Sequence, residues 1–350
     1  MRITNNGIMR ILVAVLLVVS ASYGAFTKVG TTGANFLKIG VGRAAGMGDA
    51  FVAISDDASA AYFNPAGLTQ APRSVQLNHT NWFADLNHDN LTVVLPLQNI
   101  GTVAVNVTAL TMGAMQQTSI DNPNTGARED EGEGLVQFNA TDFAVGASYA
   151  RVITDKLSFG LTGKAVTQTV WDMSAAAVGA DLGLFYNTGF RSLRIGASVT
   201  NFGTQLSFAG RQLDYNFLWN DSGPNGLQGT YKTTPAPLPT SFQFGVAYDL
   251  VSTPTSRLTT ALDIAHPSDI NETIRLGFEY AYNKFFSARA GYILNADTDY
   301  QKAIGWLTGL SAGLGLNAKT GRGLNLGVDY AFRYYKYINP VHRLMLTVGF

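Results

Sequence analysis

The chain has 350 residues, with 24 basic and 24 acidic side chains, so the basic footprint that a nucleic-acid partner needs is missing. Charged residues reach only 14% and glycines number 37, against about 25% charged and about 7% glycine in an ordinary soluble domain. Apolar residues make up 46% at a mean hydropathy of +0.08; they are spread along the chain rather than gathered into blocks, which excludes a bundle of membrane-spanning helices.

The absence of cysteine removes disulfides, thiol nucleophiles, Cys-containing zinc sites and an acylated lipoprotein anchor. His79, His88, His266 and His342 form no HxxH or HxxxH pair, so no metal and no cofactor is expected.

In chain order, residues 1–24 read as a secretory signal peptide. Arg2 and Arg10 precede the apolar run Ile11 to Val19, and Ser22 and Gly24 sit at −3 and −1 of a cut before Ala25. Residues 25–73 form a second unit, rich in Gly and Ala and without a sustained strand pattern. Asp56 or Asp57 is expected to cap a short helix ending before Pro65, since the residue before proline avoids the α region. Asn64 is expected to cap a further turn, with Pro65 at its first position and Gly67 ending it. This unit, with Gly46 and Gly48 in its first half, is a candidate plug.

Residues 74–350 alternate apolar with polar or small side chains, the period of a strand with two different faces. Ile274, Leu276, Phe278, Tyr280 and Tyr282, for example, alternate with Thr273, Arg275, Gly277, Glu279 and Ala281. Fourteen such segments are counted, many of about 10 residues, the length a tilted membrane strand needs. Connections after even-numbered segments are short, and the two longest, at about 113–138 and 203–238, follow odd ones. An all-β fold is expected, a 14-stranded antiparallel transmembrane β-barrel with an N-terminal plug containing short helices, both termini on the periplasmic side. A soluble two-sheet sandwich is the alternative, and it explains neither the strand lengths nor the last strand, where Leu344, Leu346 and Val348 lead to a terminal Phe350. That ending matches the signal read by the outer-membrane barrel assembly machinery.

Opposite the apolar stripes lie Lys164, Arg194, Arg275, Glu279, Arg289, Asp329 and Arg333. On the lipid side an Arg or Lys at mid-depth would cost about 2–4 kcal/mol, so these charges are expected to face the lumen. The second long loop carries Tyr215, Phe217 and Trp219, a candidate surface for a protein partner.

Enzymatic motifs are weak. Gly309-Leu310-Ser311-Ala312-Gly313 fits GxSxG, but the run continues an alternating strand with Ser311 facing inward, not the strand-turn-helix of a nucleophile elbow. Asn295, Asp297 and Asp299, and the acidic stretch 129–133, could hold calcium at a loop but read more simply as solvated residues. The chain is not expected to be an enzyme.

The run Gly42-Arg43-Ala44-Ala45-Gly46-Met47-Gly48-Asp49-Ala50-Phe51-Val52-Ala53, with Asp56-Asp57-Ala58-Ser59 and Asn64-Pro65-Ala66-Gly67, resembles the N-terminal signature of the PorV/PorQ family of outer-membrane proteins. That family lies within the wider group of barrels related to the fatty acid transporter FadL. Leu238-Pro239-Thr240-Ser241-Phe242, Arg289-Ala290-Gly291-Tyr292 and His342-Arg343-Leu344 extend the resemblance. It implies a fourteen-stranded barrel with a plug. For the PorV branch it implies a role in type IX secretion, in which secreted proteins with a C-terminal sorting domain are bound and shuttled. FadL-type members instead take up hydrophobic small molecules. The expected surroundings are outer-membrane lipid.

Overall fold

The computed structural model describes residues 28–29, 31–116, 137–217, 227–320 and 323–350. The expected signal peptide, the acidic stretch 129–133 and Trp219 lie outside the described residues.

Fourteen strands form one closed antiparallel barrel. They are β1 Ser74–Asn81, β2 Asn87–Leu97, β3 Gly101–Thr111, β4 Ala140–Thr154, β5 Leu157–Val170, β6 Met173–Asn187 and β7 Arg194–Gly203, followed by β8 Ser241–Ser252, β9 Ser256–Pro267, β10 Thr273–Tyr282, β11 Phe286–Asn295, β12 Leu310–Lys319, β13 Asn325–Arg333 and β14 Val341–Gly349. Each pairs with its neighbour in sequence, and β14 closes on β1 from Ser74↔Gly349 to Asn81↔His342. Closure leaves no strand edge unpaired, the condition for a sheet to stand in lipid. The fourteen-strand barrel expected from the alternation is therefore the fold observed.

The alternation sorts the faces as expected. On β14, Leu344, Leu346 and Val348 are outward and exposed, while Val341, Arg343 and Met345 are buried inside. Among the described residues no helix is long and apolar enough to cross a membrane, so crossing would fall to these strands. The turns after even-numbered strands are short. Three odd-numbered connections, 82–86, 171–172 and 268–272, are short as well, so the contrast between rims is less regular than the alternation suggested. The long connections fold back on themselves. Gln205–Leu206 pairs with Ala236–Pro237, Asp214–Phe217 with Leu227–Thr230, and Met115–Gln116 with Gln137–Phe138.

The N-terminal segment lies inside the barrel. It comprises a 3-10 turn Asn35–Lys38, helix α1 Gly42–Gly46, helix α2 Ala60–Phe63 and a 3-10 turn Pro65–Thr69. Asn64 caps the last as expected, its side chain accepting from the Ala66 N–H with Pro65 at the first position. Two expectations fail. Ser59, not an aspartate, stands at the N-cap of α2 without a side-chain cap bond; Asp57 caps the turn just before it, Oδ1 accepting from the Ser59 N–H, while Oδ2 pairs with Arg43. Gly67 sits within its 3-10 turn and does not end it; a Cβ there would lie 2.2 Å from the Ser55 carbonyl oxygen, so close packing explains the glycine.

The high glycine content has a structural cause in this interior. Gly48 takes a left-handed φ of 65° and lies against Gly291 of β11, where an added Cβ would come within 2.1 Å of the Gly48 nitrogen. Gly46 similarly faces Gly313 of β12, its own added Cβ falling 3.2 Å from that α-carbon. Wall and segment meet backbone to backbone, and larger residues would hold them apart.

Candidate functional site: the filled barrel interior

The interior joins segment to wall by both ion pairs and apolar packing. Toward the short turns a charged cluster stands beside an apolar one, in which Leu68 and Ala71 pack with Val94, Ala104 and Ala150. Arg43, on α1, is held by Glu279 of β10 through Nε–Oε2 at 2.5 Å and Nη2–Oε1 at 2.9 Å, and by Asp56 at 2.6 Å and Asp57 at 3.2 Å within its own segment. The β10–β11 register sets Glu279 directly opposite Arg289, giving a 2.7 Å pair, and Arg289 also pairs with Asp329 of β13. Burial by itself would lower the pKa of Arg43; Asp56, Glu279 and Asp57 outweigh this and hold the guanidinium well above its ordinary value. Asp57 moves the other way: burial raises its carboxyl pKa, and the pull of Arg43 does not fully cancel that.

Beside this cluster is a cavity of about 420 Å³, lined among others by Arg43, Glu279, Arg289, Asp329, Arg257 and Lys284. Its lining also includes Asp56 and Asp57, so four basic side chains face four acidic ones. Such a balance gives little preference for an ion of either sign.

At mid-depth the segment is pinned by backbone as well as charge. Asp263 of β9 accepts from the N–H groups of Phe51 at 2.7 Å and Val52 at 2.9 Å. Arg333 pairs with Asp49 at 2.9 Å and donates to the Ala45 carbonyl. Arg343 donates to the Gly40 carbonyl, and Asn64 to the carbonyls of Val52 and Leu184. Burial pushes the Asp49 carboxyl up, but Arg333, with Arg275 and Arg343, more than offsets it and leaves the pKa below its ordinary value.

Toward the long loops the interior turns apolar. Phe36, Leu37 and Ile39 pack with Ala144, Val166, Ala175 and Ala177 of the wall and with Leu206 and Leu238, and Trp82, Leu110 and Phe208 border them. Leu206 belongs to the small strand pair of the long loop, which is bonded to the segment through the Gly33 N–H and the Pro237 carbonyl. Thr32 and Lys38 are bonded to Asp269 at the same end.

The seven charges expected in the lumen all lie on the inner face, in different company. Glu279, Arg289, Asp329 and Arg333 reach the segment or its immediate partners. Lys164 pairs with Asp181 at 2.7 Å, Arg194 with Asp249 at 2.7 Å, and Arg275 donates to Gln243, so those three brace the wall itself. Sequence reasoning did not assign Arg43, Asp49 and Asp263 a role in holding the segment, nor single out Phe36. The only sequence signals are a lone Arg and Asp within an Ala/Gly run and one aromatic before it. In the long loop, Tyr215 stacks on Tyr231 at 4.4 Å, and Phe217 ends the same small strand. Ser311 donates to the Gly46 carbonyl; it lies near the start of β12 rather than mid-strand. Asp297 caps the loop helix α3, Thr298–Ile304, by accepting from Asp299 and Tyr300 N–H groups.

No protein-family model matches the chain, and no curated protein is similar to it. Solved structures are. The toluene transporter TodX of Pseudomonas putida aligns at 12% identity with a TM-score of 0.52, over 83% of this chain and 92% of that one. A Pseudomonas aeruginosa FadL homologue aligns at 13% and 0.52, over 89% and 98%. The CymD monoaromatic hydrocarbon channel aligns at 15% and 0.50, over 93% and 99%. The fold is that of the FadL-type barrels. This is a fold of bacterial outer-membrane proteins, and the likeness covers 83–93% of this chain, while none of these three structures is named as a PorV or PorQ protein.

Proposed function

We propose that this FadL-type barrel is an outer-membrane channel for small hydrophobic molecules, closed at rest by residues 31–73 acting as a plug. The observation that carries the reading is the apolar cluster around Phe36, Leu206 and Leu238 beneath the long loops, the interior cluster that is built partly from loop residues and where an apolar solute gains by leaving water. The solved neighbours named as a toluene transporter and a monoaromatic hydrocarbon channel support it. The test is uptake of a labelled monoaromatic hydrocarbon by cells with and without the protein. Faster uptake with the intact chain, reduced by Leu206→Asp in protein that still assembles, is expected. Uptake that does not depend on the protein would sink the reading.

The PorV-type cargo shuttle is the second reading. Its support is the N-terminal signature and the exposed Tyr215 of the long loop. Co-purification of secreted proteins bearing a C-terminal sorting domain, lost on Tyr215→Ala, would promote it. Under either reading Phe350 is the recognition element for the assembly machinery. Removing it should lower the yield of heat-modifiable barrel, and an unchanged yield would refute that role.

A further inference from the structure

Charges on the outer surface are divided unequally between the two rims. At the short-turn rim Arg73, Arg151, Lys156, Arg191, Lys284 and Lys319 are exposed, against the single exposed acid Asp155. At the long-loop rim, among the described residues, Arg211, Lys232, Lys302 and Lys336 are matched by Asp85, Asp214, Asp297 and Asp299. Inside the barrel the charges of the plug cluster are paired, whereas none of the six turn-rim cations has an ion-pair partner among the described residues. Chain neutrality thus conceals a cationic collar at one end.

The collar is densest on one arc. Lys156 reaches the Thr188 carbonyl in the next turn at 3.4 Å, Arg191 of that turn donates to Tyr248 of β8 at 3.4 Å, and Arg151 precedes Lys156 on the same hairpin. Apolar groups stand with them. Ile153 is 58% exposed and Leu250 56%, and the Arg191 guanidinium lies over the exposed Phe190 ring at 5.8 Å. Apolar groups continuing the outward band, with unpaired cations at its border, match the boundary between acyl chains and headgroups.

We propose that this arc binds the phosphate headgroups of anionic phospholipid in the periplasmic leaflet. The inference rests on the membrane reading given above, which sets the short turns at that leaflet. Each basic side chain near an anionic surface contributes about 1 kcal/mol, a factor of about five, and the three cations against one acid leave a net attraction.

The full chain is reconstituted in phosphatidylcholine vesicles containing spin-labelled phosphatidylglycerol or spin-labelled phosphatidylcholine, and the fraction of motionally restricted label is measured. Wild type should restrict phosphatidylglycerol severalfold more than phosphatidylcholine, less so at high salt. Arg151→Gln/Lys156→Gln/Arg191→Gln should lower that ratio to about one, Arg191→Gln alone should lower it in part, and Lys302→Gln/Lys336→Gln at the other rim should leave it unchanged. Heat-modifiable migration checks that each variant is a closed barrel. Equal restriction of both lipids by wild type, or a triple variant that retains the preference, overturns the proposal and leaves an acidic periplasmic protein as the occupant to pursue. Failure of wild type to insert in vesicles at all would instead overturn the membrane reading.

Discussion

The two ends of the interior hold the same N-terminal segment by different means, buried ion pairs being added to apolar packing at the short-turn end. At the short-turn end Arg43 sits among Glu279, Asp56 and Asp57, a contact that is strong while every partner is present and costly once one is removed. At the long-loop end Phe36, Leu37 and Ile39 rest on alanines and on two loop leucines, a contact that is non-directional and tolerates sliding. The comparison teaches which end could yield to an apolar solute. A solute can replace Leu206 or Leu238 against Phe36, whereas it cannot replace a carboxylate at Arg43.

The severest way to break the comparison is to remove both ends at once. A barrel lacking residues 31–73 should still insert but conduct ions far more readily in planar bilayers, and an unchanged conductance would show that the segment does not occlude the pore. Next in size is Arg43→Ala, which leaves Glu279, Asp56 and Asp57 without their shared cation and should cost about 3–5 kcal/mol of segment docking, read as faster proteolysis of the segment in an intact barrel. Phe36→Ala should cost somewhat less than a full core deletion, about 2–3 kcal/mol, because the loop leucines can close over part of the space; tracer uptake should rise while proteolysis near Arg43 stays slow. If both variants released the whole segment alike, the two ends would not be independent.

The smallest effect is expected from acid. The Asp49 pKa in the folded protein lies below its ordinary value. Its pairing with Arg333 therefore contributes stability that is present above the usual carboxylate range, about pH 4, and lost as pH falls through the folded value. Asp57 is shifted upward and contributes in the opposite sense, so a shallow net loss of docking is expected below about pH 4. Asp49→Asn should flatten that part of the profile, and a profile unchanged by the substitution would remove Asp49 from the account.

The strands were legible because their signal is local. Leu344, Leu346 and Val348 face outward, and the residues between them face inward, whichever strand lies alongside. The caps of the segment were only half legible. Asn64 with Pro65 follows a short-range rule and held, while Asp57 caps the turn before α2 and shares its second oxygen with Arg43, a partner fourteen residues away. The pairing of Arg43 with Glu279 spans 236 residues, and no spacing rule reaches that far. The apolar end was hidden differently: Phe36 is one aromatic in a short turn, and its companions Leu206 and Leu238 come from a loop whose course no periodicity describes.

The seam between β1 and β14 joins Ser74 to Gly349, the start of the wall to its last paired residue. The strand that shuts the cylinder is the last of the fourteen in chain order, and until it pairs the sheet has two raw margins able to capture foreign strands. The close approach of Gly48 to Gly291 means that segment and wall fit together only while both positions carry no side chain.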